Sequence, residues 1–312
     1  MIELRKKEKC NNTSIHKLNK ISKSTNFLFN LIFVISSAIC ILPFIFVIII
    51  SFTSEQLIKL NGYRFIPESL SLNAYKFLWG ERKVIISAFL ISIIVTVVGT
   101  ALGLFLTATM GYVLSLPNYK LKGFLTIVVF IPMIFRGGMV ANYVVVANIL
   151  SLQNTIWALI LPMLVSSFNV IICKTFFKIN IPISIIESAK IDGASQLNIF
   201  TKIVVPISKP LMATIGLFLS FAYWNDWYQS SLYINNSKLF SLQALLNNIQ
   251  KGIEYLANDP SAGLSMQQYI NSMPTESVRM AIAVIVVLPI ACAYPFFQKY
   301  FVSGLTLGAV KG

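Results

Sequence analysis

One carboxylate, one amide and three aromatic rings occur together within an otherwise apolar stretch of the chain. They belong to Trp224, Asn225, Asp226, Trp227 and Tyr228. Flat rings of this kind cover the apolar C–H faces of pyranose sugars, and carboxylate and amide groups hydrogen-bond sugar hydroxyls. On a continuous helix, steps of three and four residues place Trp224 beside Trp227 and Tyr228. We therefore predict that the five residues line a substrate pathway and that some of them contact a carbohydrate.

The same five residues have a second interpretation, in which the rings form an aromatic belt where a membrane meets water. In that case Asp226 would pair with a neighbouring helix, because an acidic group within an apolar helix needs a polar partner. Both interpretations treat the stretch 211–234 as one membrane-spanning helix.

A second group of polar residues lies in the segment 182–210, between two apolar stretches. Ser184, followed three residues later by Glu187, is typical of a capping box that opens a short helix. Gly193 allows a break with any φ, and the pattern of 194–204 then predicts a second short helix. Helices of about 8–11 residues are shorter than the roughly 12–15 needed for stability alone in water. We therefore expect this segment to pack against another protein.

No arrangement of residues typical of catalysis or of metal binding occurs in the sequence. It contains no Gly-x-x-x-x-Gly-Lys-Ser/Thr phosphate-binding loop and no Ser/His/Asp set. The single histidine, His16, lies in a basic segment, and the four cysteines have no paired spacing: they are Cys10, Cys40, Cys173 and Cys292. We therefore expect a chain that is not an enzyme and that holds no metal or cofactor of its own.

The composition is typical of an integral membrane protein. Apolar residues make up 56% of the chain and charged residues 12%, whereas an ordinary soluble domain has about 25% charged residues. Residues 27–51 contain no Lys, Arg, His, Asp or Glu. A helix of that length spans about 37 Å, which is enough to cross a hydrocarbon core of about 30 Å. The pattern predicts an all-α integral membrane protein with six transmembrane helices, at 27–51, 84–115, 124–149, 155–177, 211–234 and 278–298.

The net charge of +14 is distributed unevenly between the two sides of this predicted topology. If the N-terminal segment is cytoplasmic, the inner segments carry 16 of the Lys and Arg residues and the outer segments carry 8. This asymmetry follows the positive-inside rule, and an even number of spans puts both termini on one side, so we predict cytoplasmic N and C termini. The basic excess therefore reflects topology and contact with membrane lipid, and we expect no nucleic-acid binding.

The segment 182–210 resembles the EAA loop of the permease subunits of bacterial ABC importers. In that family a Glu-Ala-Ala block, a following Gly and an Ile-x-Leu-Pro block mark helices that sit in a groove of the cytoplasmic ATPase. The matching residues here are Glu187-Ser188-Ala189, Gly193 and Ile203-Val204-Val205-Pro206. Ser188 and Val205 depart from the family's Ala and Leu, but both are small or apolar. Further stretches resemble the carbohydrate-uptake, MalG/LplC-like branch: they are 191–195, 224–227, 294–301 and 308–312.

The resemblance implies a type I ABC importer (MetI-like) permease fold in a bacterial cell membrane, and the import of oligosaccharides. It implies that a separate ATPase binds ATP and Mg²⁺ and contacts this chain through one set of residues: Glu187, Ser188, Ala189, Asp192, Gly193, Ala194 and Pro206. In this set Glu187 would offer a charge to the ATPase, and Pro206 would fix the exit into the fifth span. Ser188, Ala189 and Gly193 would keep the contact face narrow. The expected partners are a homologous second permease, two ATPase subunits and an extracellular solute-binding protein.

The chain divides into four parts under this interpretation. They are a basic cytoplasmic tail at 1–26, the first transmembrane helix and outer loop at 27–83, a permease core with its coupling loop at 84–298, and a cytoplasmic C-terminal tail at 299–312. In the second span the small residues Gly99, Gly103, Ala108 and Gly111 predict close packing of helices. In the outer segment 235–277, Leu and Ile at steps of three and four predict an amphipathic helix. That helix would cap the outer face or dock the binding protein.

Other assignments fit parts of the sequence. One is an ABC importer permease for a solute that is not a sugar. Another is an ion-coupled secondary transporter, which would need inverted repeats and several carboxylates within its spans, whereas Asp226 is the one acidic residue in the predicted spans. A third is a membrane protein of assembly or scaffolding. Arg136 also has two interpretations, since it would either snorkel to the outer surface or guard the pathway.

Overall fold

The chain folds into helices joined by turns. The structure is a computed structural model that describes residues 22–135, 137–257 and 275–309. An isolated bridge pairs Thr53 with Leu70, and no strand occurs among the described residues. Cys10, His16, Arg136, most of the predicted N-terminal tail and the part of the outer segment at 258–274 lie outside the described residues.

The helices are numbered here in chain order. The first seven are α1 (Lys23–Ser51), α2 (Glu55–Asn61), α3 (Asn73–Gly80), α4 (Arg82–Ser115), α5 (Lys122–Ile134), α6 (Gly138–Tyr143) and α7 (Ile156–Ile160). They are followed by α8 (Ser167–Asn180), α9 (Ile183–Ile191), α10 (Gln196–Ile199), α11 (Lys209–Trp224), α12 (Tyr228–Tyr233), α13 (Leu242–Ala257) and α14 (Thr275–Ala309). Three helices continue in tighter or wider turns: α6 through Val144–Ile149, α7 through Leu161–Met163, and α10 through Phe200–Val204. A final α-helical turn at Val205–Ile207 follows the last of these.

Three helices are long and apolar enough to cross a membrane by themselves: Lys23–Ser51, Arg82–Ser115 and Thr275–Pro295. Two further candidates are pairs of helices that meet at a bend. The pair Ile156–Met163 and Ser167–Asn180 is bent by 51°, and the pair Gln196–Ile207 and Lys209–Trp224 is bent by 86°. The described residues therefore contain three to five candidate spans, depending on whether each bent pair crosses as one.

The predicted span 124–149 is divided into two shorter apolar helices, Lys122–Ile134 and Gly138–Ile149. Pro132 lies in the last turn of α5, and Phe135 after it has an extended backbone. Gly138 has φ +79°, which L side chains rarely adopt. A proline near the end of one helix and a left-handed glycine at the start of the next explain the interruption.

Helix α4 occupies the centre of the bundle and packs against α8 and α11. Gly99 lies against the ring of Tyr223, and Gly111 lies against Cys173, so closely that an added Cβ would overlap its neighbour. Gly103 likewise approaches the backbone carbonyl of Leu164. The predicted role of these small residues in close packing is confirmed.

The N-terminus of α14 is held by a side chain that lies 220 residues earlier in the chain. The Glu55 carboxylate accepts hydrogen bonds from Ser277 N at 3.0 Å, Ser277 Oγ at 2.9 Å and Thr275 Oγ1 at 2.9 Å. Tyr63 donates to the Glu276 carboxylate at 2.7 Å, and this bond, together with partial burial, raises the pKa of Tyr63 to about 12. These contacts tie the segment after α1 to α14, which also packs directly against α1.

Candidate functional site

Helix α9 forms the first half of the predicted coupling segment. It begins directly after Pro182, which has an extended backbone and makes no side-chain cap. The predicted capping box of Ser184 and Glu187 is therefore wrong, because Ser184 lies inside the first turn. A proline also has no backbone N–H for the Glu of a capping box to bind.

The end of α9 is a hydrogen-bonded glycine turn. Gly193 has φ +81°, its N–H donates to Lys190 O at 3.0 Å, and the N–H of Ala194 donates to Ala189 O at 2.9 Å. This pair of bonds is a Schellman motif, which satisfies carbonyls that would otherwise lack partners at the end of a helix. The structure thus confirms the predicted break at Gly193 and gives it a defined geometry.

The second half of the coupling segment starts at Ser195, whose hydroxyl accepts from Asn198 N at 3.3 Å. The helical run continues through Pro206 to Ile207, whereas the sequence predicted an end at 204. A π-helical turn at Phe200–Val204 precedes Pro206. Its wider hydrogen-bond pattern accommodates a residue that cannot donate. The 86° bend therefore falls at Ser208 rather than at Pro206.

The coupling segment has an inner and an outer face. Its inner face consists of buried residues that join the core around Tyr112 and Phe177: Ile186, Ala189, Ile199, Phe200 and Val204. Ala194 also packs on this core. Ala189, predicted to lie on the contact face, is only 9% exposed because its side chain packs inward. The other predicted coupling residues are exposed: Glu187, Ser188, Asp192, Gly193 and Pro206.

Two large apolar residues on the outer face were not predicted. Ile191 is 86% exposed and Leu197 is 66% exposed, one on each side of the Gly193 turn. Their signal in the sequence was the presence of large aliphatic residues within a polar segment. On a segment predicted to face water, large aliphatic side chains this exposed fit a surface that another protein covers.

A cavity of about 590 Å³ lies between the coupling segment and the end of α4. Glu187 and Lys190 line it from α9, and Tyr112 lines it from α4. The hydroxyl of Tyr112 is buried and has no hydrogen-bond partner among the described residues. Glu187 therefore borders a space within this chain as well as the outer face.

The five residues of the predicted substrate set do not lie on one helix. Helix α11 ends at Trp224, and α12 begins at Tyr228. The Asn225 amide donates to Phe221 O at 2.9 Å, and the Asp226 carboxylate accepts from Gln229 N at 3.2 Å. These polar side chains satisfy backbone groups at a helix end and a helix start, which favours a turn over a continuous helix. The predicted adjacency of Trp224 to Trp227 and Tyr228 by helical steps is wrong.

The turn separates one buried ring from two exposed rings. Trp224 is 7% exposed, its indole N–H donates to Val286 O at 3.2 Å, and its ring packs edge-on against Phe89. Trp227 is 44% exposed and Tyr228 is 39% exposed, with ring centroids 6.1 Å apart and planes at 85°. Trp224 is thus part of the core, and its predicted contact with a substrate does not fit this burial.

Lys251 of α13 and Ser241, which directly precedes α13, complete the surroundings of the turn. The ammonium of Lys251 lies 5.2 Å from the centre of the Trp227 ring, and Ser241 Oγ donates to Asp226 O at 3.1 Å. Lys251 was not predicted as a site residue, because no local pattern links it to a ring 24 residues earlier. The amphipathic helix predicted in this segment is confirmed, with Leu242 and Leu246 buried against neighbouring helices. No group of three or more His, Cys, Asp or Glu side chains suited to a metal occurs in the part of the chain that the structure describes.

Comparison with known proteins gives a consistent assignment. No family model matches the chain. Protein LplC of Bacillus subtilis (strain 168) is 40% identical over 275 residues, which cover 88% of this chain and 90% of that protein. The polygalacturonan/rhamnogalacturonan transport system permease protein YtcP of the same strain is 40% identical over 277 residues, covering 88% of this chain and 93% of YtcP.

A solved structure has the same fold. It is a bacterial ABC transporter involved in the import of the acidic polysaccharide alginate, and its matching chain superposes with a TM-score of 0.74 at 23% identity. The match covers 90% of this chain and 99% of that chain. With its apolar helices and these relatives, the protein is a multi-pass membrane protein that belongs to the family of permease subunits of carbohydrate ABC transport systems.

Proposed function

We propose that this chain is the transmembrane permease subunit of an ATP-driven importer that carries oligosaccharides across a bacterial plasma membrane. The observation that carries the proposal is the coupling segment, in which a Schellman turn at Gly193 presents Ile191 and Leu197 outward. The names of several relatives support the substrate class, since they refer to polygalacturonan and rhamnogalacturonan, arabinooligosaccharides and galactooligosaccharides. A solute of another kind is the alternative within the same family.

The proposed topology has six spans and two cytoplasmic termini. Three long helices and two bent pairs supply five spans. The two short apolar helices at Lys122–Ile134 and Gly138–Ile149 together supply the sixth. The distribution of Lys and Arg supports cytoplasmic termini, a cytoplasmic coupling segment and an outer position for the turn at 225–227.

The energy for transport comes, in this proposal, from a separate subunit. The sequence contains no phosphate-binding loop, so ATP and Mg²⁺ would be held by two ATPase subunits docked on the coupling segments of this chain and of a homologous second permease. An extracellular solute-binding protein would deliver the oligosaccharide. In this arrangement the chain itself binds no cofactor.

The geometry of α11 supports a mechanism of alternating access. Its first residue, Lys209, follows the bend at Ser208, and its last residue, Trp224, precedes the exposed turn. Its 16 residues span about 24 Å. The coupling segment is anchored in the core by Phe200 and Val204. A displacement of this segment by the ATPase is therefore transmitted through α11 to the turn that carries Asn225 and Trp227.

The proposal is tested by purifying the tagged chain from its native membrane and reconstituting the complex with its binding protein in liposomes. We expect a stoichiometric ATPase to co-purify. We also expect oligosaccharide uptake to require ATP on the side of the liposome membrane opposite the binding protein. Uptake without an ATPase, abolished by an ionophore, would instead identify an ion-coupled transporter. A complex with no uptake of any solute would favour a role in assembly.

A further inference from the structure

A row of hydrogen-bond donors lies along one side of α13. Gln243, Asn247 and Lys251 follow one another at four-residue steps, which places them on neighbouring turns of the same helix side. Gln243 and Asn247 are half-buried, and Lys251 is exposed. The row therefore passes from a sheltered end to an open end.

The two amides in this row have unused donors. Gln243 Nε2 and Asn247 Nδ2 are shielded from water and have no hydrogen-bond partner among the described residues. On α12, the acceptor Gln229 Oε1 is also buried and has no hydrogen-bond partner among the described residues. Unpaired polar atoms out of water are destabilising, and natural proteins retain few of them without a reason. Oxygen atoms of a bound molecule are suitable acceptors for such amide nitrogens.

The donor row is tied to the turn and to α12 at one end and lies against an exposed ring at the other. Near the start of α13, Ser241 Oγ donates to Asp226 O at 3.1 Å, and Ser241 N donates to Ser230 Oγ at 3.1 Å. At the far end, the Lys251 ammonium lies over the Trp227 ring at 5.2 Å. Aromatic surface and donors thus lie next to each other, as a sugar with C–H faces and polar edges requires.

The exposed charged group beside Trp227 is the positive ammonium of Lys251. The Lys251 ammonium is exposed, and its contact with the Trp227 ring is weaker than a hydrogen bond to a carboxylate would be. Asp226, the acidic residue nearest in sequence to Trp227, is half-buried, and its carboxylate accepts from the backbone N–H of Gln229. The Lys251 ammonium is therefore open to an incoming carboxylate, whereas the Asp226 carboxylate is partly covered and already accepts a hydrogen bond.

We propose that Trp227, Tyr228 and the donor row of Gln243, Asn247 and Lys251 form a recognition site for oligosaccharides that contain uronic acids. A pyranose ring packs on the exposed aromatic surface, its carboxylate pairs with Lys251, and its other oxygens accept from the amides. This inference rests on the proposed function, because it assigns a substrate class to the same importer. It makes Lys251 the residue that distinguishes acidic from neutral sugars.

The test uses the complete transporter with its binding protein in liposomes and two probes, trigalacturonate and neutral galactotriose. The measured quantity is the ratio of their uptake rates. We expect Lys251→Met to lower this ratio about tenfold, since a charge-assisted hydrogen bond is lost, and Lys251→Arg to retain most of it. Lys238→Met, which removes an exposed lysine elsewhere on the outer segment, is the matched control and should leave the ratio unchanged.

The possible outcomes distinguish a failure of the uronate site from a failure of the proposed oligosaccharide import. An unchanged ratio in Lys251→Met, or equal loss of both uptakes, would overturn the assignment of Lys251 to the carboxylate. Wild-type uptake of galactotriose without trigalacturonate would overturn the uronate site but leave oligosaccharide import standing. If the wild-type transporter carries neither probe nor any other oligosaccharide, the proposed function itself fails.

Discussion

Gly193 combines a restricted backbone with free space. Its φ of +81° lies in the left-handed region, yet an added Cβ would meet no atom within 4 Å. The obstacle to substitution is therefore the backbone conformation, whose cost for most L residues is roughly 1–2 kcal/mol. Asn and Asp tolerate this region better than other non-glycine residues. Comparing Gly193→Asn with Gly193→Asp therefore separates the effect of an added charge from the effect of backbone strain.

We predict that Gly193→Asp abolishes oligosaccharide-stimulated ATP hydrolysis while the complex still assembles. The added carboxylate would be buried without a partner where the ATPase covers the exposed turn, which is costly. Gly193→Asn has a similar size and similar backbone preferences, and it should retain most of the activity. Measuring ATPase rates of both purified complexes checks this, and full stimulation in the Asp variant would remove Gly193 from the coupling contact.

The rings at 224 and 227 are predicted to respond differently to removal. Trp224→Ala should destabilise the protein by about 3–5 kcal/mol, because a buried ring is lost from the core. Trp227→Ala should change stability by within about 0.5 kcal/mol but raise the oligosaccharide concentration needed for half-maximal uptake. Thermal unfolding and uptake curves for the two variants distinguish the roles. Equal effects on stability would contradict the assignment of Trp227 to an open surface.

The break at Gly193 was predictable, but the orientations of several side chains at the two candidate sites were not. The sequence identified Gly193, and the structure gives it the expected left-handed conformation. It also grouped Trp224 with Trp227, because the apolar stretch continues past both. The turn between them depends on Asn225 and Asp226 bonding to nearby backbone groups, a choice that apolar periodicity does not reveal.

At the scale of helices, the contact between Glu55 and the start of α14 has the clearest energetic consequence. The side chain of Glu55 is 11% exposed and accepts hydrogen bonds from backbone and side-chain donors of α14. It therefore acts as an N-terminal cap supplied from a distant segment. Favourable interaction of a carboxylate with the positive end of a helix adds to the effect.

We predict that Glu55→Ala destabilises the protein by about 1–3 kcal/mol, since donors at the start of α14 lose their acceptor. Exposed Glu68, which pairs with Arg64 on the surface, is the matched control, and Glu68→Ala should have little effect. Thermal unfolding reports the total change. Hydrogen exchange at 275–278 locates it, and unchanged exchange in Glu55→Ala would show that the cap is not needed.

The largest difference at this scale concerns the coupling segment. Two short helices and a glycine break were predicted and are present, but the second helix was expected to end at 204, before Pro206, and it continues to Ile207, with the bend at Ser208. Proline usually ends or kinks a helix, so the expectation was reasonable. The π-helical turn before Pro206 removes the conflict, and no local pattern in the sequence announces such a turn.

For the whole molecule, the helical membrane fold was predictable from composition and apolar length alone. The number of spans was harder to predict from the sequence, because the length and hydropathy of a stretch do not show whether its helix is bent. The stretches at 155–177 and 124–149 each read as one span, whereas the structure interrupts both.

We predict that the coupling segment and the loop that joins α12 to α13 face opposite sides of the membrane. In a variant without native cysteines, Ser188→Cys should react with a membrane-impermeant thiol reagent only after the membrane is permeabilised. Asn235→Cys, which is also at an exposed position, should react in intact cells. Labelling at 188 in intact cells would place the coupling segment outside and contradict docking to a cytoplasmic ATPase.

The close approaches along α4 restrict how this subunit can move. Gly99, Gly103 and Gly111 have no side chain, and at these positions α4 lies in direct contact with its neighbours. Sliding α4 by one residue, about 1.5 Å, would bring larger side chains to these contacts, where no space is available. Helices α4, α8 and α11 must consequently keep their relative positions throughout a cycle. Hinges at the 51° and 86° bends remain available. A force applied to the coupling segment would therefore tilt these three helices as one unit, and a bulky residue at Gly103 would disturb their packing without contacting the substrate or the proposed ATPase.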